Sequence, residues 1–549
     1  MPWQSHLIVA PIVLPLVTAA VLLLFDERRR KLKMAINTVS TLGLVAIAVV
    51  LAGMANEKAP QAIVYLIGNW PAPFGIVLVL DRLAGLMLLL ASLLGLAALS
   101  FALAHWYKAS PHFHTIFQLL LMGLNGAFLT GDLFNLFVFF EVMLAASYGL
   151  ALHGSGPARV RAGMHYIAVN LLASSLFLIG VSLIYGVTGT LNMADLAKRI
   201  AEVAPEDRML LEAGAAVLGV AFLIKAGMWP LNFWLAPTYT AAAPPVAAVF
   251  AIMSKVGIYV LLRLSPLMFG VSAGSSYGFG NDWLYFGGMV TLAFGLIGVV
   301  ASQALGRLAS YSILVSSGTL LAAIGSGNAA MTGAALFYMV SSTLTIAAFF
   351  LLIELVERGQ DAAANVLAVT MEAYGDEEEE DEEEEVGAVL PATLAILGTC
   401  FGIVAILLIG LPPFSGFIAK FLILSAAFNG DGSAARQAQA VSPANWVLVT
   451  LILLSGLSAL IAMTRTGIRT FWASLEGNVP RVLVREVVPV AGLLGLCLAL
   501  TIAAGPAMRY MDDTARALHN PSDYIDSVLD APRANVTPAS TGTGTGGTP

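Results

Sequence analysis

Phe222-Leu-Ile-Lys-Ala-Gly-Met-Trp-Pro230 and Gly410-Leu-Pro-Pro-Phe-Ser-Gly-Phe-Ile-Ala-Lys420 decide the fold. Each interrupts a long apolar run, 212–240 and 391–428, with glycine and proline, and each carries a lysine beside the interruption. Both runs exceed the roughly 20 residues that cross a bilayer as one straight helix. One proline-broken membrane helix is common. Two at corresponding places in two halves are the sign of a transporter assembled from repeats.

The surrounding sequence supports this. Of 549 residues, 58% are hydrophobic and 11% are charged, against about 25% charged in soluble domains. That excludes an ordinary cytosolic globule. Fourteen apolar spans are read: 7–25, 34–54, 76–104, 113–131, 132–152, 162–187, 212–240, 243–265, 283–301, 308–326, 330–357, 391–428, 446–466 and 487–507. Helices are expected because lipid satisfies no free backbone amide and no alternating barrel pattern occurs. The expected fold is an all-α polytopic membrane protein of about 14 transmembrane helices. It contains two inverted five-helix repeats, each with a broken helix. The expected division is 1–112 (three N-terminal helices), 113–265 (first repeat), 266–470 (second repeat, with loop 358–390) and 471–549 (last helix and disordered tail).

The first span lacks a basic region before it and is read as a retained helix. By the positive-inside rule the basic loop 26–33 is cytoplasmic, as are those carrying Lys108, Arg159, Arg307, Arg358, Arg465 and Arg481. Both termini then lie outside. The net charge of −7 is dominated by ten acidic residues, Asp376 to Glu385, read as a solvated disordered loop; without them the balance is positive. No nucleic-acid partner is expected. The two cysteines, Cys400 and Cys497, form no C-x-x-C, so no iron–sulfur or zinc-ribbon site, and no cofactor, is expected. No G-x-x-x-x-G-K-[ST] occurs, which disfavours an ATP-driven pump.

Ionisable residues inside the spans are the candidate site. A charge at the bilayer centre costs roughly 2.5–3.5 kcal/mol even on the lenient insertion scale, so it must face protein or water. Glu141 lies mid-span in an aromatic stretch. Lys225 and Lys420 flank the two breaks, and Lys255 lies mid-span in the following helix. Lysine suits proton relay because burial tunes it, whereas arginine stays charged. The four are read as a relay, with Glu141 paired to Lys225. At 4 Å and an effective dielectric near 20 such a pair is worth about 4 kcal/mol. Ser316, Ser341, Ser342 and Thr345 are accessory candidates because hydroxyls carry water wires. Asp132, Glu354 and Arg307 are weaker ones. Asp132 and Asp81 are read mainly as helix caps, Glu354 as a solvated helix end, and Arg307 as interfacial. His105, His112 and His114 are read as surface residues.

Phe139-Phe-Glu-Val-Met143, the two broken stretches, and Ala241-Ala-Ala-Pro-Pro-Val246 together resemble the antiporter-like subunits shared by respiratory complex I and Mrp-type cation/proton antiporters. The resemblance covers roughly 75–470. Ile67-Gly-Asn-Trp-Pro-Ala-Pro-Phe-Gly-Ile76, Leu80-Asp-Arg-Leu83 and Ser147-Tyr-Gly-Leu-Ala-Leu-His-Gly154 look most like the Mrp branch. The resemblance implies a bacterial cell-membrane protein that moves protons within a multisubunit monovalent cation/proton antiporter, a secondary transporter and not an enzyme. Its implied partners are other integral membrane subunits, protons, Na⁺ or K⁺, and the lipid bilayer. The alternative is a proton-pumping subunit of a redox complex. A third reading is a scaffold whose buried charges hold neighbouring subunits. The resemblance also implies that Glu141, Lys225, Lys255 and Lys420 are the family's fifth-, seventh-, eighth- and twelfth-helix carriers. Relatives often place histidine in the eleventh span, where this chain has Ser341 and Ser342.

Overall fold

The computed structural model describes residues 6–104, 112–154, 156–373, 392–429, 442–471 and 482–533, without the side chains of 358–373, 392 and 429. The acidic block 376–385, His105, Lys108, Arg481 and the tail from 534 lie outside the described residues.

All fourteen expected crossings carry a helix. In chain order the first are α1 (Ala10–Leu23), α2 (Arg30–Lys58), α3 (Arg82–Ala102), α4 (Phe113–Leu129), α5 (Leu133–Ala151) and α6 (Pro157–Thr188). A short amphipathic α7 (Met193–Glu202) precedes the first broken crossing, α8 (Arg208–Ala226) with α9 (Leu235–Ala241). Then come α10 (Pro244–Phe269), α11 (Asn281–Ala301), α12 (Leu305–Gly325) and α13 (Ala329–Ala373). The second broken crossing is α14 (Ala392–Ile409) with α15 (Ser415–Asn429), followed by α16 (Pro443–Phe471) and α17 (Val484–Ile502). Among the described residues, eleven helices are long and apolar enough to cross a membrane. Four shorter apolar ones, α1, α4, α14 and α15, complete the set.

Both breaks form where glycine permits a backbone turn that other residues resist. Gly227 (φ 74°) ends α8 and Gly410 (φ 82°) ends α14. Pro230 and Pro413, which lack an amide donor, keep the helix from resuming at once. The freed groups find partners, as lipid requires. Trp229 N donates to Thr291 Oγ1 at 2.9 Å, and Trp234 Nε1 donates to Ile224 O at 3.2 Å.

The centre of the bundle is α10 and the 329–357 part of α13, buried along their apolar length. Beside them α11 and α12 approach backbone to backbone. A Cβ on Gly318 would run into the Leu292 backbone, and one on Gly288 into that of Ala322. Gly318→Val is therefore expected to lower the melting temperature of the purified protein by several degrees, because overpacking at such a contact costs about 1–3 kcal/mol. Unchanged melting would show that the two helices can part without loss.

Four features differ from the sequence reading. Helix α13 continues to Ala373, so the loop expected from 358 begins later. An antiparallel hairpin, β1 (Ile63–Leu66) with β2 (Val77–Leu80), precedes α3. The loop 188–211 contains α7. After α17 the chain forms α18 (Ala504–His519) and α19 (Ser522–Leu529) instead of leading straight into a tail. The hairpin, α7 and α19 meet on one face. Ala62, Leu66, Val77, Val79, Ala194, Ala197, Leu267, Tyr524 and Val528 form a second, small apolar cluster there.

Candidate functional site

Lys225 occupies the last turn of α8 and is 7% exposed. Its ammonium donates to Asn170 Oδ1 on α6 at 2.6 Å and lies 6.0 Å from the Phe140 ring centroid. Asn170 is fully buried and fixed by its own amide, which donates to Tyr166 O at 2.7 Å. The expected ion pair with Glu141 is not formed. Glu141 is half-buried beside the exposed Phe134 and Val138, at the margin of α5, and its Oε1 is buried with no partner among the described residues. In this conformation no salt bridge joins the two and the neutral amide is in the lysine's reach, while Glu141 acts on the ammonium electrostatically.

Lys255, mid-way along α10, is 1% exposed. It donates to Ser316 Oγ on α12 at 2.9 Å. Ser316 Oγ lies 2.9 Å from Ser342 Oγ on α13, so a lysine and two hydroxyls form an unbroken chain across three helices. Ser342 lines a cavity of about 30 Å³ whose walls include Tyr338, Ser341, Thr345, Ser455 and Lys420. A polar cavity of that volume has room for water. Ser341 Oγ is 2.9 Å from Ser415 Oγ at the start of α15. The Lys420 ammonium donates to the Leu408 and Ile409 carbonyls, at 3.1 and 2.9 Å, which Gly410 leaves without helical partners. Lys420 itself is half-buried.

The structure therefore brings together Lys255, Ser316, Ser342, Ser341 and Lys420, with Thr345 on the cavity wall. Thr345 also back-bonds to Ser341 O and lies 3.7 Å from Cys497 Sγ. Lys225 stands apart from this chain, since no hydrogen bond among the described residues joins it to Lys255. Each of the three lysines is held by neutral oxygens.

The weaker candidates lie elsewhere. Asp132 caps α5 by accepting from Asn135 N at 2.9 Å. Arg307 is exposed on the first turn of α12. Glu354, half-buried on α13, acts electrostatically on Arg159 of α6.

Sequence reasoning missed several groups. Asn170, Tyr338, Ser415 and Ser455 are uncharged and do not stand out in apolar runs. Arg263, near the end of α10, is 4% exposed and forms a two-pronged pair with Asp81, at 2.6 and 2.8 Å. Asp81 also caps α3 through Ala84 N at 2.9 Å. The guanidinium lies over Tyr259 and Tyr524, so the pair ties α3, α10 and α19 together. His114 is buried, not on the surface. It faces α2, where Asn37 Nδ2 lies 2.7 Å from its Nδ1 and Gln118 donates to Asn37 Oδ1.

Residues 130–442 match the family described as NADH:quinone oxidoreductase/Mrp antiporter, TM. The chain belongs to this family. Within the Mrp antiporter family, it is 64% identical to the D-type subunit of a probable K⁺/H⁺ antiporter of Rhizobium meliloti, over 97% of this chain and 99% of that one. It is 33% identical to the D-type subunit of the Na⁺/H⁺ antiporter of Alkalihalophilus pseudofirmus, over 96% of this chain and all of that one. Its fold is similar to a chain in the Mrp complex from Dietzia sp. DQ12-45-1b, with a TM-score of 0.78 and 28% identity, covering 96% of this chain and 100% of that one.

Proposed function

We propose that this chain is the D-type, proton-carrying member of a multisubunit monovalent cation/proton antiporter in a bacterial cell membrane. The observation that carries the reading is the hydroxyl chain from Lys255 through Ser316 to Ser342, opening on the small cavity that Lys420 shares. Lysines can give and take protons, hydroxyls can both donate and accept, and one water bridges the remaining gap. Where relatives often place histidine, Ser341 and Ser342 hold water by their hydroxyls, so this part of the route depends on water and not on a side chain that titrates. Near-full-length identity to antiporter subunits favours this reading over the redox-driven pump.

In the proposed cycle Glu141 and Asn170 compete for Lys225. Pairing with Glu141 favours the ammonium; the neutral amide holds the lysine while its proton is passed on. Other membrane subunits cover the margin where Glu141 is half-exposed. The basic loop 26–33 faces the cytoplasm, and both termini face outward.

Inverted vesicles containing the complete complex should show cation-dependent proton flux without quinone or NADH. Flux that requires either one would overturn the antiporter reading. Within the complex, Ser316→Ala is expected to slow exchange by about 10- to 100-fold, as one relay group is lost, whereas Ser316→Thr keeps the hydroxyl and most of the rate. Equal rates in the two variants would remove Ser316 from the route.

A further inference from the structure

At the second break a cation already sits in an oxygen cradle, and it is the lysine's own. The Lys420 ammonium is bound by the Leu408 and Ile409 carbonyls at the C-terminal end of α14. Such half-helix ends carry partial negative charge and coordinate monovalent ions in other broken-helix transporters. The hydroxyls of Ser341, Ser342, Thr345 and Ser455 line the same small cavity, and no carboxylate does. One further lysine, Lys255 of α10, is linked to the cavity through Ser316 and Ser342. Tyr338 of α13 lines the cavity, Cys497 of α17 lies behind Thr345, and the buried face of α16 carries no titratable side chain. Neutral oxygens around so small a space do not suit Mg²⁺ or Ca²⁺, whose sites in proteins draw on carboxylates. They suit a dehydrated monovalent ion, and ammonium and K⁺ are of nearly equal radius.

We propose that the Lys420 pocket is a binding site for a monovalent cation of ammonium size, K⁺ in preference to Na⁺, filled in alternation with the protonated lysine. The inference rests on the proton-relay reading and adds the second ion to it. Protonated lysine and a cation cannot share the cradle, because two like charges would meet with little water between them. When Lys420 gives up its proton, the cavity hydroxyls relay it on and out of the site, each accepting one proton as it donates another; the carbonyl pair is released and the neutral amine can turn its lone pair on the incoming ion. One positive charge leaves and one arrives. The site's charge is unchanged, and one proton is exchanged for one cation.

Rb⁺, as the probe for K⁺, should bind to the purified, assembled complex at alkaline pH and be displaced on acidification. Lys420→Ala empties the cradle of its ammonium and should bind Rb⁺ at both pH values. Lys420→Arg fills it permanently and should bind one ion fewer than Lys420→Ala at both. Ser455→Ala, which keeps the lysine, should weaken alkaline binding about tenfold, the equivalent of about 1.4 kcal/mol. K⁺ should compete at lower concentration than Na⁺. Equal Rb⁺ stoichiometry in Lys420→Arg and Lys420→Ala would overturn the cation site. So would unchanged pH dependence in Lys420→Ala. Either result leaves the proton relay standing if Lys225→Ala still abolishes exchange; loss of the relay would instead appear as unaltered exchange in that variant.

Discussion

Lys225→Ala is expected to reduce cation/proton exchange by about 100-fold or more, the range for removal of a positioned proton-transfer group. Assembly should survive. The lysine donates a hydrogen bond to Asn170, and truncation leaves that carbonyl oxygen unpaired at a cost of about 1–3 kcal/mol. Lys225→Arg should fail as well, because guanidinium keeps its proton. The measurement is proton flux in inverted vesicles, normalised to assembled complex. Wild-type flux in an assembled Lys225→Ala complex would take this residue out of the route. Loss of assembly in Lys225→Ala would instead favour the scaffold reading, in which buried charges hold subunits together.

The second large effect is on stability. Asp81→Asn retains a side-chain oxygen to cap α3 but leaves the Arg263 guanidinium buried without its carboxylate. Breaking one side of such a pair costs about 3–5 kcal/mol. A marked fall in the melting temperature of the purified protein is expected, with loosening of α18 and α19, whose Tyr524 faces the same guanidinium. Adding Arg263→Met should restore most of the loss, since no stranded charge then remains. Exchange per folded complex should change little. A double variant as unstable as Asp81→Asn would show that packing, not the stranded charge, sets the cost.

The membrane crossings and the lysines are legible in the sequence because a charge in an apolar run is conspicuous and costly. The breaks are legible because glycine and proline act on the backbone wherever they stand. Pairing is not legible. The sequence puts a carboxylate in the fifth span and an ammonium in the seventh, but nothing in it says that Asn170, an amide in the sixth within the run Tyr166-Ile-Ala-Val-Asn170, reaches the lysine first. Arg263 lies near the end of its span, where arginine is unremarkable, so its burial leaves no mark in the sequence. The apolar stripe of α7, with Met193, Leu196, Ala197 and Ile200 at helical spacing, is present. The segment is short and charged, however, and so it reads as loop. The buried place of His114 depends on a partner, Asn37, 77 residues away.

The hairpin, α7 and α19 lie together on one face, and the Asp81–Arg263 pair, with Tyr524 against its guanidinium, rivets α19 to the start of α3 and the end of α10. Laced in this way, that side of the bundle behaves as one clasp: α3 and α10 cannot part there without stranding the buried Arg263 charge.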